Sequence, residues 1–447
     1  MLLRTGVFLI GVLAGVIALG SWLYPRSHVP DSRRWADRAA WESLDSDRIL
    51  QIDQEFAQRQ QAAGLQPAPL ADTSVVVRRL SLALAGTVPS LEELRALEQL
   101  PEEERIAAWT DYLLQDRRFA DYFAERMART LVGVQDGPFL VFRRRRFVHW
   151  LSDRLHEHQS YDRIVRELLT DEGLWTDSPA VNFVTATLDQ NGDNQPDPIK
   201  LAARTSRAFL GLRIDCLQCH DDNLGTIDLG DVASVRGGTQ QDFHQLASFF
   251  GTVRSTIRGV RELPADSSNE YRVLYLDAED EQAVPRQVPY RQDLVSDDPL
   301  PRRALADWVT HRQNEPFARA FVNRVWALMC GRPLTESVDD LSLYGPFPPG
   351  LERLAEDFAA HDFDIRRLVR MIASTRAFRT DSRADFEVTE AHELAWAVFP
   401  VTRLRPEQIA GSVIQASSLR TINDRANVFA RLTRFGQQSE FVTRFGD

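Results

Sequence analysis

Apolar residues recur at helical intervals along most of this chain. Spacings of three and four positions run through IAAWTDYLLQ, FVHWLSDRLHEHQSYDRIVRELL and VNRVWALMCG. Ser90 and Glu93 have the spacing of a capping box, and Gly331 provides a C-cap signal. The alternation in YRVLYL suits one short strand. The pattern predicts a mainly α fold, in which two helical domains are joined by a short connector that contains β structure.

An uninterrupted apolar stretch near the start of the chain precedes these elements. Thr5 to Tyr24 is a run of 20 residues without a charge, which just spans a hydrocarbon core of about 30 Å. We expect one N-terminal membrane helix that anchors the protein to the inner membrane through residues 5–24, with its body in the periplasm or otherwise outside the cytoplasm. The alternative is a cleaved signal peptide, with Ala18-Leu19-Gly20 as a small-x-small site, and the body is then secreted.

Composition and charge narrow the class of protein. With 43% apolar and 26% charged residues, disorder, collagen and a multi-span membrane protein are excluded. The net charge of −11 argues against a protein that follows nucleic-acid phosphates, so we expect no nucleic-acid partner. Lys200 is the single lysine and does not lie in a P-loop, so no phosphate-cradling loop is expected.

One motif points to specific chemistry. Cys216-Leu217-Gln218-Cys219-His220 is CxxCH, the attachment sequence for haem c. Two cysteines three positions apart place both sulfurs near one edge of the porphyrin, where they form thioethers with its vinyl groups. The histidine that follows ligates the iron from one face. We therefore predict covalent haem c on Cys216 and Cys219, with His220 as an iron ligand.

Other uses of the same cysteine spacing are less well supported. A thioredoxin-like pair follows a strand, whereas the residues before Cys216 are typical of a helix that ends near Gly211. A structural zinc site needs a fourth ligand, and no second CxxC or HxxxH supplies one. A disulfide between Cys216 and Cys219 stays open as an alternative in an oxidising compartment.

The chain resembles the planctomycete cytochrome-like proteins of unknown function, from about residue 50 to about residue 415. The blocks LQPAPLADTSVVVRRLSLALAGTVPSLEEL, SYDRIVRELLTDEG, RAFLGLRIDCLQCHDD and DFHQLASFF resemble the exported domain that carries CxxCH. RRALADWVTHRQNEPFARAFVNRVWALMCGRPL resembles the Asn-Arg-Val-Trp block of the second, planctomycete-specific domain. The resemblance implies export and a haem, but no substrate or reaction. Many relatives continue Cys-His-Asp-His, whereas this chain has Asp222 at the last of these positions.

These observations divide the chain into consecutive segments. We predict a signal anchor or signal peptide (1–25), a stalk with a short helix (26–72), a cytochrome-like helical domain with CxxCH (73–252), a connector or small β insert (253–299), a planctomycete-specific helical domain (300–425) and a C-terminal tail (426–447).

The sixth iron position has several candidate ligands. His244 is the nearest histidine along the chain, with a hydrogen-bonded, partly buried residue as the alternative. Met127, Met329 and Met371 are candidate Met ligands, although their helical spacing favours core packing. An open position allows small-molecule redox chemistry, and a filled one favours electron transfer.

A calcium loop is a further candidate. Oxygen-bearing side chains stand at alternating positions, with Asp189, Asn191, Asp193 and Asp197 as the candidate ligands. An EF-hand requires Gly at its sixth position and Glu at its twelfth, where this chain has Asn194 and Lys200. A solvated Asx-rich turn is the alternative.

Several other constellations favour structural roles. His156 to Ser160 begins like HExxH but lacks the second histidine. Candidates for acid–base chemistry, with solvated loop and cap roles favoured, are Asp339, Asp340, His361 and Asp362. Cys330 is expected to be a buried thiol on an apolar helix.

We therefore expect an exported, membrane-tethered c-type haem protein with a redox or electron-transfer role and an unidentified redox partner. One alternative is an exported binding or scaffold protein in which CxxCH is a disulfide or a metal clip. Another is a polysaccharide-directed hydrolase that uses Asp339 or Asp340.

Overall fold

The computed structural model describes residues 11–15, 29–135, 142–188, 192–264, 270–275, 279–422, 441 and 444. These residues are mainly helical, as predicted. The helices are α1 Arg38–Glu42, α2 Ser46–Ala62, α3 Thr73–Ala85, α4 Leu91–Leu97, α5 Glu102–Gln115, α6 Arg117–Leu131, α7 Arg144–His156, α8 Tyr161–Thr170, α9 Asn182–Thr185, α10 Pro198–Thr205, α11 Gln240–Ala247, α12 Pro301–Val309, α13 Glu315–Cys330, α14 Leu351–Ala360, α15 Ile365–Ser374, α16 Arg376–Arg379, α17 Glu390–Leu394 and α18 Pro406–Ala416.

The strands of the described residues form three short antiparallel pairs. The pairs are β1 Asp228–Leu229 with β2 Arg236–Gly237, β3 Val253–Thr256 with β4 Gly259–Glu262, and β5 Arg272–Val273 with β6 Gln282–Ala283. The last two pairs lie in the stretch predicted to contain β structure, and β5 falls in the alternating segment YRVLYL.

Two of the predicted helix signals are confirmed. Ser90 and Glu93 form a reciprocal capping box at the start of α4, which satisfies two backbone donors of the first turn. Gly331 ends α13 with a φ of 84°, in the left-handed region that glycine adopts without a steric penalty.

The predicted fold class is wrong in one part, the N-terminal membrane helix. Within the segment from Thr5 to Tyr24, the structure describes only residues 11–15, which are helical, and the rest lies outside the described residues. Over the described ranges, no helix combines the length and apolar character needed to cross a bilayer.

The chain divides into two compact units built from separated stretches. The first comprises Met1–Trp41, Asp72–Phe119 and Arg403–Asp447, and the second comprises Glu42–Ala71 and Ala120–Thr402. The domains predicted from the sequence are consecutive segments, unlike these two units. The predicted domain boundaries stay a prediction.

The first unit has a core of aromatic side chains between α3 and α5. The indole of Trp109 is fully buried and donates to the Val77 carbonyl oxygen at 3.1 Å and to Ser81 Oγ at 3.0 Å. Trp35 stacks on Tyr112 with a ring-centroid separation of 4.3 Å. The indole N–H of Trp35 also has an acceptor, the Pro30 carbonyl oxygen at 3.1 Å, so both tryptophans fill this core without an unpaired donor.

The second unit has its core around α13. Tyr161 stacks on Phe321 and Phe317, with ring-centroid separations of 3.7 and 5.0 Å. A π-helical turn, Ser206–Leu210, continues α10 and packs against α13. The chain then enters a 3₁₀ turn, Asp215–Gln218, which packs against α10 and α11. This 3₁₀ turn contains the first three residues of the CxxCH motif, and Cys219 and His220 follow directly.

Candidate functional site

The CxxCH motif is held by its central leucine. Leu217 is fully buried, while Cys216 and Cys219 are free thiols with exposed side chains. Leu217 reaches the backbone at Gly238, where an added Cβ would lie 2.7 Å from Leu217 Cδ1. The leucine therefore fixes the turn in the core and leaves both sulfur atoms at the surface.

His220 has the hydrogen bond expected of a metal-binding imidazole. Its side chain is exposed, and its Nδ1 lies 2.8 Å from the carbonyl oxygen of Asp221. A carbonyl oxygen only accepts hydrogen bonds, so Nδ1 carries the proton and the neutral ring keeps its lone pair on Nε2. In metal sites, a hydrogen bond from the ring nitrogen that does not bind the metal orients the histidine and raises its basicity. The residues present thus fit a haem iron ligated through His220 Nε2.

His244 lies next to the motif but uses both ring nitrogens. Its Nε2 is 3.0 Å from the carbonyl oxygen of Gln218, and its Nδ1 is 3.0 Å from the hydroxyl of Tyr271. The side chain is 3% exposed, and burial lowers the pKa of His244 below its usual value. As a sixth ligand it would have to give up one of these bonds, so the geometry favours the alternative of a hydrogen-bonded buried histidine.

Asp222, two residues after the proposed iron ligand, shapes the loop. Its Oδ2 accepts from the backbone N–H of Ile227 at 2.6 Å, and its Oδ1 accepts from Leu224 N–H and from the Thr226 hydroxyl, each at 3.2 Å. The hydrogen bond from Ile227 is the main cause that lowers the pKa of Asp222. Asp222 thus serves as an Asx-type loop anchor.

The residues before the motif form a second polar contact. Arg207, on the π-helical turn, binds Asp215 through two hydrogen bonds of 2.8 and 2.5 Å. Burial raises the pKa of Asp215, but the hydrogen bonds from Arg207, a backbone hydrogen bond and the charges of Arg207 and Arg213 together hold the pKa below its usual value. Asp339 approaches the same guanidinium at 3.8 Å. A bidentate pair of this kind secures the start of the 3₁₀ turn.

Three of the four acid–base candidates have hydrogen-bond or ion-pair partners elsewhere in the protein. Asp339 Oδ1 accepts from the Ser337 hydroxyl at 3.1 Å, and Asp362 pairs with Arg312. His361 Nδ1 donates to the Asp357 carbonyl oxygen at 2.8 Å. These contacts suit loop and helix-end roles.

The structure describes half of the candidate calcium loop. Asp197 Oδ1 caps α10 by accepting from Ile199 N–H at 2.9 Å, and its Oδ2 lies 3.2 Å from Lys200 Nζ. Asp193 Oδ1 accepts from the backbone N–H of Gln195 at 2.8 Å. The other two predicted ligands, Asp189 and Asn191, lie outside the described residues, so the calcium site stays a prediction.

The candidate methionine ligands and Cys330 are buried, which agrees with a role in core packing. The three candidate methionine ligands are each at most 5% exposed, and Cys330 is fully buried. A search of the described ranges finds no group of three or more His, Cys, Asp or Glu side chains that could hold a metal ion.

Sequence reasoning missed two residues of this site. Gln240 Nε2 donates to the Gln218 carbonyl oxygen at 3.0 Å, and its position one helical turn before His244 is a signal that the helical pattern contains. Tyr271 comes 27 residues after His244, and no spacing in the chain links it to the motif.

Two family models match separate segments of the chain. Residues 51–255 match PSCyt2, a protein of unknown function (DUF1549), and residues 301–436 match PSD1, a protein of unknown function (DUF1553). Both matches are consistent with the predicted resemblance to planctomycete-type proteins of unknown function, and CxxCH lies within the first matched segment. No curated protein and no solved structure matches the chain.

Proposed function

We propose that this chain is an exported c-type haem protein with a redox role in electron transfer. In this proposal Cys216 and Cys219 attach the porphyrin and His220 ligates its iron. A haem bound in this way supplies one-electron exchange between the ferric and ferrous states. The hydrogen bond from His220 Nδ1 to the Asp221 carbonyl oxygen carries the proposal, because it leaves Nε2 as the ligating nitrogen.

The surroundings of the motif support a large flat ligand. Both thiols are exposed, and apolar side chains in the loop that follows are also left in solvent. Leu224 is 88% exposed and Val232 is 82% exposed. A porphyrin held at the two cysteines would give these side chains an apolar face to pack against.

The sequence from Thr5 to Tyr24 supports export, because an uncharged apolar stretch near the start of a chain is typical of an export signal.

The proposal is tested by maturing the full chain in a host that attaches haem c. We expect a reduced-haem absorption spectrum and an intact mass that contains one porphyrin per chain. Cys216→Ala with Cys219→Ala should abolish covalent haem, because both thioether bonds are then lost. Cys330→Ala, at the buried cysteine, should leave it unchanged.

A chain without porphyrin in this host overturns the proposal. A Cys216–Cys219 disulfide or a bound metal would then identify the motif as a clip in a scaffold protein. Polysaccharide turnover that is lost at Asp339 or Asp340 and retained without Cys216 would instead identify a hydrolase.

A further inference from the structure

Two side chains of α11 converge on one backbone carbonyl of the motif. The acceptor is the oxygen of Gln218, which lies between the two cysteines. Gln240 Nε2 and His244 Nε2 each donate to it at 3.0 Å. Since Gln240 and His244 are one helical turn apart, a single face of α11 holds the peptide that leads into Cys219.

The chemistry of the partners determines the tautomer of His244. A carbonyl oxygen cannot donate, so Nε2 carries the proton and Nδ1 has the lone pair. The Tyr271 hydroxyl, 3.0 Å from Nδ1, must therefore be the donor in that contact. The hydrogen bonds run in one direction, from Tyr271 through His244 to Gln218, and such chains strengthen each member.

We propose that His244 is a positioning residue for haem attachment, kept in one tautomer by Tyr271 and bonded to the Gln218 carbonyl. This inference rests on the proposed function. The side chain is 3% exposed, and burial keeps the imidazole neutral by lowering its pKa. His244 therefore acts on the haem through the backbone of the motif and does not touch the iron.

The position of the Gln218 carbonyl explains how His244 influences haem attachment. The Gln218–Cys219 peptide sets the direction in which the second sulfur and the following imidazole leave the backbone. Without the bond from His244, Gln240 alone holds this carbonyl oxygen, so the peptide can rotate further and the two sulfurs match the vinyl groups of one porphyrin less closely. The same rotation weakens the hydrogen bond from His220 to Asp221, which makes the iron ligand less basic.

The test compares four variants of the full chain in the maturation host. Tyr271→Phe removes one hydroxyl, and His244→Leu removes the donor to Gln218. His244→Gln keeps an N–H at a similar position. The matched control is Tyr275→Phe, because Tyr275 meets the same imidazole through its ring, edge-on, with a centroid separation of 5.7 Å.

Two properties of the folded, soluble fraction are measured. We expect His244→Leu to lower the haem-loaded fraction about tenfold, the scale of one lost buried hydrogen bond, and Tyr271→Phe to lower it less. The midpoint potential of the remaining holoprotein should rise in both, because a less basic ligand stabilises ferric iron less. His244→Gln and Tyr275→Phe should resemble the wild type.

A third measurement needs no haem. Imidazole ¹⁵N resonances of the haem-free chain should show His244 protonated at Nε2 only, and a mixture of tautomers in Tyr271→Phe. A purely structural role would lower the soluble yield without moving the potential.

The outcomes separate the two proposals. A wild-type chain without porphyrin overturns both of them. Haem on the wild type, with unchanged loading and potential in His244→Leu and Tyr271→Phe, overturns the positioning role alone. If His244→Leu does not fold, Tyr271→Phe decides the question.

Discussion

At the scale of single residues, two neighbouring histidines differ in which ring nitrogen carries the proton. His220 donates from Nδ1 to a carbonyl oxygen and His244 donates from Nε2 to another. The first arrangement leaves Nε2 for a metal, whereas the second uses both nitrogens for protein contacts. The hydrogen-bond partners of each ring therefore distinguish the proposed iron ligand, His220, from the proposed positioning residue, His244.

Gly238 leaves room for the side chain of Leu217. In Gly238→Ala the new Cβ would lie 2.7 Å from Leu217 Cδ1, so we expect a loss of about 1–3 kcal/mol in the free energy of unfolding. Urea denaturation measures it. Gly237→Ala is the control, since its Cβ would meet only the Asp222 carbonyl oxygen at 3.8 Å. Equal losses in both variants would contradict the role of Leu217.

His158 should make stability depend on pH. Burial, with a further contribution from Arg366, lowers the pKa of His158 to about 4, below the value of about 6.5 in the unfolded chain. As the pH falls below about 6.5, the unfolded chain binds a proton first, so the free energy of unfolding decreases until about pH 4. The residue as a whole is exposed, so its ring is only partly desolvated, and screening limits the effect to about 1 kcal/mol.

The variant that isolates this effect is His158→Asn. His158 has a φ of 62°, and asparagine tolerates this left-handed conformation. Urea midpoints between pH 4 and pH 7 should vary less in the variant than in the wild type. Parallel curves for the two proteins would exclude His158 as a source of the pH dependence.

At the scale of elements, local signals predicted helices better than connections. The capping box of Ser90 and the C-cap at Gly331 depend on nearby residues, so the sequence contains all the information they need. The π-helical turn Ser206–Leu210 and the 3₁₀ turn Asp215–Gln218 depend on packing against α11 and α13. No periodicity encodes such contacts, and both turns escaped prediction.

The first turn of α4 contains a buried ionic group that should contribute strongly to the stability of this unit. Glu93 is fully buried, accepts from Arg118 Nη2 at 2.6 Å, and accepts from the Tyr112 hydroxyl at 2.9 Å. Asp116 also pairs with Arg118, at 3.0 Å. Glu93→Gln leaves Arg118 with one carboxylate, so we expect a loss of about 2–3 kcal/mol.

Denaturation of a neighbouring variant provides the control for Glu93→Gln. Glu103→Gln makes the same chemical change at an exposed position of α5, where such substitutions have little effect on stability. If both variants unfold at the wild-type urea midpoint, the buried ion pair is not a significant source of stability.

At the scale of the whole molecule, the first compact unit combines residues far apart in the sequence. Gln408 donates to the Leu82 carbonyl oxygen at 2.9 Å, and the Thr87 hydroxyl donates to the Gly411 carbonyl oxygen at 2.9 Å. Helix α18 is therefore part of the same core as α3. Sequence patterns, which are read over short windows, predict consecutive domains and do not detect such pairings.

Gly411 allows α18 to approach the end of α3. In Gly411→Ala the Cβ would lie 2.6 Å from the Gly86 carbonyl oxygen. We expect a net loss of about 1–2 kcal/mol, because the clash outweighs the better helix propensity of alanine. Hydrogen exchange should become faster in Thr73–Ala85. Val413→Ala, at a side chain that is 65% exposed, should leave this exchange unchanged, and faster exchange in both variants would contradict the argument.

In the candidate site, too, the sequence predicted residues that are adjacent in the chain but not contacts between distant residues. Cys216, Cys219 and His220 could be found because they form one contiguous motif. His244 was found as a histidine, but its role depends on Tyr271, and only the folded chain brings these two side chains together. Asp222 was noted as a missing ligand, whereas its role as a loop anchor follows from hydrogen bonds with residues up to Ile227.

The two middle positions of CxxCH should differ in the substitutions that they tolerate. Leu217 contributes its side chain to the core, whereas Gln218 is exposed and contributes its backbone oxygen. In a library randomised at both positions, sequences selected for attached porphyrin should keep a medium-sized aliphatic residue at the first and accept nearly any amino acid at the second. Proline after Leu217 is the exception, since its ring restricts the residue before it to extended backbone.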